Sequence, residues 1–324
     1  MTRSKVLVGV PFDESAQQLL SQYADYDVYE FVEHDYLLEV ADQYAAAISG
    51  GAQFDKAVFD RAKQLRIVAS HGIGFDTINV EEATRHGVMV TNTPGVMAES
   101  VAEHAIALML AAARNVTLAN SDVKQRKASW AKYRGMELSG KTFGQIGLGR
   151  IGWLIARKVR NAFNMNVLAY DPYIESERVL TAGATPALLE TLLSRADVVS
   201  ISTPLTEETR GMLDRQRIAL MKPGSILVNT ARAGIIDEVA LAEGIMSGHI
   251  ASAGLDVYEE PTSEGKSLAM LERVIATPHQ GANTTEGFSA IACGTVERVI
   301  MALKGKRPLN LLNPSVWADE VLVA

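Results

Sequence analysis

The sequence predicts an α/β protein whose parallel β-sheets are divided between two domains. Its 324 residues suggest two domains, at roughly 100–200 residues per domain. Short apolar runs alternate with amphipathic helical stretches along the chain, which is the pattern of βαβ units and parallel sheets. The composition, 48% hydrophobic and 21% charged, is close to the globular average, so the chain can form its cores without disulfides or metals.

The first series of elements predicts a parallel sheet near the N-terminus. Its strands are expected at Lys5–Val10, Asp27–Phe31, Ala45–Ser49, Arg66–Ser70 and Met89–Thr91. Helical stretches lie between them, for example Glu14–Ala24 and Asp55–Gln64. From Glu99 to about Lys127, apolar residues recur with a period near 3.6, which predicts one long helix.

The second series of elements predicts a doubly wound sheet. Six strands are expected, at Thr142–Ile146, Asn166–Tyr170, Val198–Ser202, Ser225–Asn229, Ala251–Leu255 and Val274–Thr277. Helices are expected at about Arg150–Ala162, Pro186–Ser194, Arg215–Leu220, Glu238–Ser247 and Thr284–Lys304. Parallel strands joined by crossover helices are typical of a doubly wound sheet, which binds its ligands at the carboxyl ends of the strands.

Composition and charge argue against several classes of protein. The 31 basic and 38 acidic side chains give a net charge of −7 without basic clusters, so we expect no nucleic-acid partner. The longest nearly unbroken apolar run, Ala105–Ala113, is about half a membrane span, and the N-terminus lacks a signal-peptide pattern. The single cysteine, Cys293, permits neither a disulfide framework nor a cysteine-based zinc site. We therefore expect a soluble, cytoplasmic protein that binds neither membranes nor metals.

A glycine motif follows the first strand of the second series. Gly147, Gly149 and Gly152 match the G-x-G-x-x-G pattern between the strand Thr142–Ile146 and a predicted helix. The first glycine permits a tight turn, the second lets a pyrophosphate approach the backbone, and the third lets the helix pack on the strand. The N–H groups that begin the helix would bind the pyrophosphate. The alternative is a glycine-rich turn without a ligand, and the strand and helix on either side favour binding.

Asp171 indicates which dinucleotide binds. It directly follows the next predicted strand, about 20 residues after Gly152, where the ribose-binding acid of such sites is found. A carboxylate there accepts hydrogen bonds from the ribose hydroxyls and repels a 2′-phosphate, so NAD is favoured over NADP. The alternative is a solvated aspartate in a turn before proline.

Polar side chains follow three further strands of the predicted sheet. Arg232 could clamp a carboxylate with two hydrogen bonds, and His279 could transfer a proton near neutral pH. A neighbouring carboxylate, from Glu259 or Glu260, could orient that histidine. Each residue alone has an ordinary reading, because surface arginines, acidic turns and loop histidines are common and structural ion pairs mimic sites.

The order of the motifs resembles the D-isomer-specific 2-hydroxyacid dehydrogenases over nearly the whole chain. The motifs that carry the resemblance are Ser70–Asp76, Asn92–Gly95, Ser100–Glu103, the glycine triplet, Pro204–Thr206 with Thr209, the segment of Arg232, Asp256–Tyr258, Glu260–Pro261, Thr277–His279 and Asn313–Pro314. The resemblance implies two doubly wound parallel-sheet domains. A Rossmann NAD-binding domain at 99–289 would be inserted in a flavodoxin-like substrate domain formed by 1–98 and 290–324.

The resemblance also implies catalytic roles. Arg232 would hold the substrate carboxylate and polarise the C2 oxygen. His279 would accept the C2 hydroxyl proton during oxidation and return it during reduction, and Glu260 would bind the other imidazole nitrogen. A hydride would pass between C2 and the nicotinamide, which is the cofactor's own chemistry.

Further contacts are implied by the same resemblance, and no metal is among them. The cofactor contacts would be Gly147, Gly149, Arg150, Ile151, Gly152, Asp171, Thr203, Pro204, Thr209, Thr230, Ala231, Asp256, Gly281 and Ala282, with Asp256 on the nicotinamide carboxamide. The substrate carboxylate would bind Gly72, Ile73 and Gly74 as well as Arg232. The family is usually dimeric through the NAD domain, so a homodimer is expected, and the apolar helix from Val101 would suit an interface.

Three departures from the family's pattern leave alternatives open. The spacing from Asp256 to Glu260 is one residue short, so Glu259 is an alternative partner of the catalytic histidine. Ser202 stands where the family often has histidine, which alters one contact near the cofactor. Gln280 replaces a usual apolar residue, and it could reach the cofactor or substrate or merely face solvent.

The substrate class is predicted from a missing arginine. Family members that bind phosphorylated substrates often carry an arginine in the loop that matches Ile48–Gln53, and this chain has none. We therefore expect a small 2-hydroxy or 2-keto acid of the glyoxylate or hydroxypyruvate type. The alternatives are 3-phosphoglycerate dehydrogenase activity and a non-catalytic protein that senses NAD. We expect no appended regulatory domain. His104 is expected to be a packing residue, and the role of His71 is open.

Overall fold

The computed structural model describes residues 3–259 and 267–317. The chain divides into two compact units, Met1–Met97 with Thr284–Ala324, and Ala98–Asn283. The second boundary lies next to the start of a helix, Thr285–Leu303. The Thr284 hydroxyl caps that helix by accepting a hydrogen bond from Gly287 N–H at 2.9 Å.

The first unit is a five-stranded parallel sheet with helices on both faces. Its strands are β1 Lys5–Gly9, β2 Asp25–Val28, β3 Ala46–Ser49, β4 Ile67–Ser70 and β5 Met89–Thr91, in the order β2-β1-β3-β4-β5. Its helices are α1 Glu14–Ser21, α2 His34–Val40, α3 Lys56–Arg61, α4 Val80–Arg85 and α12 Thr285–Leu303. This strand order is that of a flavodoxin-like doubly wound sheet.

Alternation along β1 explains why both faces of this sheet are covered. Val6 and Val8 point into a core shared with α1 and α12, whereas Leu7 points into the core on the other face. Every residue of β3 and β4 is buried, as expected for central strands of a parallel sheet.

The second unit is a seven-stranded parallel sheet. Its strands are β6 Thr142–Ile146, β7 Asn166–Tyr170, β8 Thr185–Pro186, β9 Val198–Ile201, β10 Ser225–Asn229, β11 Ile250–Leu255 and β12 Val274–Ala276. Its helices are α5 Ala98–Ala113, α6 Val116–Lys124, α7 Arg150–Phe163, α8 Ser176–Thr181, α9 Leu189–Arg195, α10 Arg215–Leu220 and α11 Glu238–Met246. The order β12-β11-β10-β9-β6-β7-β8 reverses direction between β6 and β9. Ligands of open α/β sheets bind at such a switch point, beyond the carboxyl ends of the strands.

The two sheets confirm the predicted fold class, but one long helix was predicted wrongly. The stretch from Glu99 to Lys127 forms two helices, α5 and α6. The carbonyl of Ala113 accepts from Met136 N–H at 2.7 Å rather than from a further helical turn, and Asn115 takes a left-handed conformation with φ 52°.

Among the described residues, no single helix is long and apolar enough to cross a membrane, although α5 and α6, bent by 63°, meet the length and composition criteria as a pair.

The apolar face of α5 is used inside the second unit. Ala105, Leu108 and Met109 are buried in a core that α5 shares with α7 and the sheet. Packing inside the unit thus accounts for these apolar residues, and a homodimer with an interface at this helix stays a prediction.

Candidate active site

The glycine turn between β6 and α7 has little space around two of its glycines. Gly147 has a φ of 81°, and a Cβ there would lie 2.6 Å from the carbonyl oxygen of Ser202. A Cβ on Gly152 would lie 2.0 Å from the carbonyl oxygen of Gly147. These two positions therefore need glycine for the turn and for the packing of the helix on it.

Gly149 is different, because nothing in the described part of the chain lies within 4 Å of where its Cβ would be. It is the N-cap of the 14-residue helix α7 and has no side chain to cap that helix end. The open space and the first N–H groups of the helix, beginning at Arg150 and Ile151, suit a pyrophosphate. The turn therefore fits the dinucleotide that the sequence predicts.

Because the space around Gly152 and Gly149 differs, alanine substitutions at the two positions are expected to have different effects. Gly152→Ala is expected to destabilise the protein by about 1–3 kcal/mol, because the overlap with a carbonyl outweighs the gain in helix propensity. Gly149→Ala is expected to leave the melting temperature unchanged and to weaken NADH binding by about tenfold or more, since its methyl group would occupy the pyrophosphate position. Thermal unfolding and NADH fluorescence titration measure the two effects. Normal NADH affinity in Gly149→Ala would contradict the placement of the pyrophosphate.

Asp171 lies directly against this turn. Its Oδ2 accepts from Leu148 N–H at 2.8 Å, and its Oδ1 accepts from Tyr173 N–H at 3.0 Å. Leu148 stands between the first two glycines of the motif, so the structure brings the predicted ribose acid and the glycine turn together. Each carboxylate oxygen can accept a further hydrogen bond, as ribose hydroxyls require.

Buried hydroxyl groups without partners line the adjacent strand ends. Ser202 Oγ after β9 and Thr230 Oγ1 after β10 have no hydrogen-bond partner within the described ranges. Such groups are costly unless something satisfies them, and a bound dinucleotide offers both donors and acceptors. Thr203 is half-buried, Pro204 is exposed, and the Thr209 hydroxyl donates to the Pro204 carbonyl at 2.7 Å. Thr209 thus shapes this loop from within.

Arg232 lies in a short turn that Asn229 braces. The Asn229 side chain accepts from Ala231 N–H at 2.9 Å and donates to the Arg232 carbonyl at 2.8 Å. The Arg232 side chain is half-buried, and its Nη1 donates to the Ala231 carbonyl at 2.8 Å. The guanidinium is thus placed beyond the carboxyl end of β10.

His279 follows β12 at the same edge of the sheet. It is exposed and has a φ of 51°, a left-handed conformation that few residues other than glycine adopt. Its N–H donates to the main-chain carbonyls of Asp256 and Thr277, both at 2.9 Å. Gln280 is also exposed, and Ala282 is half-buried.

Asp256 fixes the loop that carries His279. Its Oδ1 accepts from Gln280 N–H at 2.9 Å and its Oδ2 from Gly281 N–H at 2.8 Å. Burial would raise the pKa of Asp256, but hydrogen bonds from His104, Thr277 and these two amides lower it to about 2. The residue is 2% exposed, and its Oδ2 can accept one more hydrogen bond. Asp256 can therefore still accept the predicted hydrogen bond from the nicotinamide carboxamide.

Two residues have roles that the sequence analysis did not assign. His104 was interpreted as a packing residue, but its Nε2 lies 3.2 Å from Asp256 Oδ1. Glu238, for which the sequence predicts no role, accepts from Glu259 N–H at 2.9 Å, and burial raises the pKa of Glu238. Glu259 is exposed. Glu260 lies outside the described residues, so the choice between Glu259 and Glu260 as the partner of His279 stays a prediction.

The predicted carboxylate loop follows β4 in the first unit. Its carbonyl groups are all engaged. The Gly72 carbonyl accepts from the Thr93 side chain at 3.1 Å and the Ile73 carbonyl from Asn92 Nδ2 at 2.8 Å. The Gly74 carbonyl accepts from the Ser70 hydroxyl. The loop is thereby held in one shape.

His71 precedes this loop and is largely withdrawn from solvent. Its Nδ1 is buried without a partner in the described part of the chain, and burial lowers its pKa to about 4. The imidazole is therefore neutral at pH 7.

Comparisons with known proteins identify relatives over both units. Residues 106–281 match the family model for the D-isomer specific 2-hydroxyacid dehydrogenase, NAD binding domain. The chain is 39% identical over 311 residues to a D-3-phosphoglycerate dehydrogenase of Methanocaldococcus jannaschii, covering 95% of this chain but 59% of that protein. It is 38% identical over 325 residues to a glyoxylate reductase of Pyrococcus furiosus, covering 97% of this chain and 96% of the relative.

A solved structure has the same fold and contains the cofactor. D-lactate dehydrogenase from Aquifex aeolicus, complexed with NAD and lactic acid, matches with a TM-score of 0.84 and 28% identity. The match covers 95% of this chain and 99% of that one. NAD is thus the dinucleotide of a close structural neighbour.

Proposed function

The chain belongs to the D-isomer-specific 2-hydroxyacid dehydrogenase family, and we propose that it is an NAD(H)-dependent oxidoreductase that interconverts a D-2-hydroxy acid and its 2-keto acid. One observation carries this proposal. The glycine turn with Asp171, the Arg232 turn and the His279 loop all lie beyond the carboxyl ends of strands of one parallel sheet. That edge is where an open α/β sheet binds its ligands.

The roles of the protein's side chains follow from their chemistry. The glycine turn and Asp171 would hold NAD(H), which would supply the hydride chemistry at substrate C2. Arg232 binds the substrate carboxylate with its planar guanidinium and polarises the C2 oxygen. Carboxylate contacts from the loop Gly72–Gly74 stay a prediction from the family resemblance. His279 accepts the proton of the C2 hydroxyl during oxidation and donates it to the C2 oxygen during reduction. A carboxylate, from Glu260 or alternatively Glu259, bonds the second imidazole nitrogen and orients the ring.

The substrate we propose is a small unphosphorylated acid of the glyoxylate or hydroxypyruvate type. The loop Ile48–Gln53 has no arginine to bind a phosphate, and burial keeps the adjacent His71 neutral. One relative that matches along nearly its whole length is the P. furiosus glyoxylate reductase, whereas the chain spans 59% of the M. jannaschii phosphoglycerate dehydrogenase. Phosphoglycerate dehydrogenase activity is the second candidate, favoured by that relative's 39% identity. A homodimer in the cytoplasm, with residues 1–98 and 290–324 as the substrate domain, completes the proposal.

The experiment that tests this function is an NADH oxidation assay with the purified protein. The substrates are glyoxylate, hydroxypyruvate, pyruvate, longer 2-keto acids and 3-phosphohydroxypyruvate, each repeated with NADPH. We expect turnover with a small unphosphorylated acid. A clear preference for 3-phosphohydroxypyruvate would contradict the argument from the missing arginine. Binding of NADH without turnover of any acid would favour a protein that senses NAD.

Asp171 is expected to determine the cofactor preference. Asp171→Asn removes the charge that repels a 2′-phosphate but keeps an acceptor for Leu148 N–H. We expect the preference for NADH over NADPH to fall by about tenfold or more in Asp171→Asn and Asp171→Ala. The lost charge repulsion is worth about 1.4 kcal/mol, which corresponds to a tenfold change in affinity. The melting temperature should fall only in the alanine variant, which loses the bond to the turn. A native preference for NADPH would contradict the ribose assignment.

A further inference from the structure

A chain of hydrogen bonds joins helix α5 to the loop that carries His279. His104 Nε2 lies 3.0 Å from Thr277 Oγ1 and 3.2 Å from Asp256 Oδ1. Thr277 Oγ1 is 2.6 Å from the same Asp256 oxygen. All of these residues belong to the second unit, where α5 packs on β11 and β12. The cluster therefore connects a helix of the scaffold to the proposed acid–base residue.

The donors in this cluster follow from its acceptors. An ionised carboxylate has no hydrogen to give, so the Thr277 hydroxyl donates its only hydrogen to Asp256. His104 Nε2 approaches both oxygens, and it must therefore carry a hydrogen. His104 therefore donates to Asp256 from helix α5, whereas the other donors belong to the segment that follows β12. The network thus assigns the tautomer of His104, with a hydrogen on Nε2.

The orientation of Asp256 matters because its two carboxylate oxygens hold different amides. Oδ1 accepts from Gln280 N–H and Oδ2 from Gly281 N–H, so a rotation of the carboxylate would release at least one of them. A Cβ on Gly281 would lie 3.0 Å from Asp256 Oδ2 and 3.6 Å from His104 Cδ2, which shows how closely the loop packs on the pair. The left-handed conformation of His279 depends on this support, because such a conformation persists only when its surroundings determine it.

We propose that His104 is a positioning residue of the reaction, which orients the Asp256 carboxylate and thereby holds the His279 loop in its working conformation. This inference rests on the proposed function of His279. His104 does not touch the substrate in this scheme. It acts through Asp256, and its loss leaves a buried carboxylate with one hydrogen bond fewer.

The test compares His104→Leu with the conservative variant His104→Gln. The glutamine amide can donate a hydrogen bond toward Asp256, whereas leucine fills space without a donor. Leu110→Ala is the matched control, because it removes packing from the same helix and no hydrogen bond to Asp256. Three quantities are measured: the single-turnover rate of hydride transfer from NADH, the NADH Kd, and amide hydrogen exchange of a peptide that covers residues 277–283.

We expect His104→Leu to slow hydride transfer by about tenfold to a hundredfold, because small displacements of a reacting group have effects of that size. Exchange at Gln280 and Gly281 should rise by about tenfold, which is the size of one lost hydrogen bond. The NADH Kd should change by no more than about threefold in this variant. His104→Gln should recover most of the rate and of the protection, and Leu110→Ala should lower the melting temperature without exposing these amides.

Unchanged exchange at Gln280 and Gly281 in His104→Leu would overturn the proposal, as would equal losses in the leucine and glutamine variants. The exchange measurement separates this inference from the proposed function. If the native protein bound NADH but reduced no 2-keto acid, the function would fail. Faster exchange at Gln280 and Gly281 in His104→Leu, but not in His104→Gln or Leu110→Ala, would still establish that His104 holds the loop.

Discussion

Replacing His279 by alanine is expected to lower kcat by about 10²–10⁴-fold and to leave the NADH Kd nearly unchanged. The imidazole is the proposed carrier of the proton that joins or leaves the C2 oxygen, and methyl cannot replace it. The glycine turn and Asp171, which would bind the adenosine and pyrophosphate parts of NADH, are formed by β6, β7 and α7 and not by this loop. Steady-state kinetics with NADH and the best 2-keto acid, together with NADH fluorescence titration, measure the two effects.

The control for this variant is a histidine at the opposite end of the same sheet. His249 directly precedes β11, and its Nε2 lies 3.3 Å from the Ile218 carbonyl. His249→Ala should keep the native kcat. Added imidazole should restore part of the turnover of His279→Ala, because it can enter the vacated space and transfer the proton. Full activity of His279→Ala would show that another group moves the proton.

Arg232→Lys is expected to lower kcat/KM for the 2-keto acid by about 10–100-fold, with most of the loss in KM. Lysine keeps the positive charge, but its ammonium group cannot form two parallel hydrogen bonds with a carboxylate. The loss therefore reports the geometry of the guanidinium rather than its charge. Asn229 should still brace the turn, because it bonds the main chain of Arg232 rather than its side chain.

A surface arginine provides the matched control for Arg232→Lys. Arg215 forms an exposed two-bond pair with Glu243 on the neighbouring helix, and exposed pairs contribute little to stability. Arg215→Lys should therefore leave kcat/KM and the melting temperature close to native values. If Arg232→Lys behaved like Arg215→Lys, the substrate carboxylate would have a different partner.

Most of the fold could be predicted from local pattern, and the errors lie where contacts with residues distant in sequence decide the local structure. The strands Thr142–Ile146, Asn166–Tyr170 and Ser225–Asn229 begin and end where the apolar runs predicted. The break at Asn115 was missed because both helices have the same apolar period, and the turn depends on a bond from Met136. A helix was expected to begin at Pro186, but Thr185–Pro186 forms an edge strand, where proline is tolerated, and the helix begins at Leu189.

The family and its cofactor could also be predicted from the sequence, and the comparisons confirm both. The glycine motif and Asp171 are recognisable because their residues lie close together in the chain at fixed spacing. The roles of Arg232, Glu260 and His279 stay predictions that the variants above test.

The sequence by itself determined the two parallel sheets, the dinucleotide turn and the residue types at the strand ends, because each depends on residues close together in the chain. Only the tertiary structure decided which side chains support the His279 loop. His104 contacts Thr277 across 173 positions of sequence, and Asp256 reaches three amides of a loop that follows another strand. No local pattern encodes such contacts. They arise because α5 packs across β11 and β12 and brings distant polar groups together around the buried Asp256, whose carboxylate needs hydrogen-bond partners.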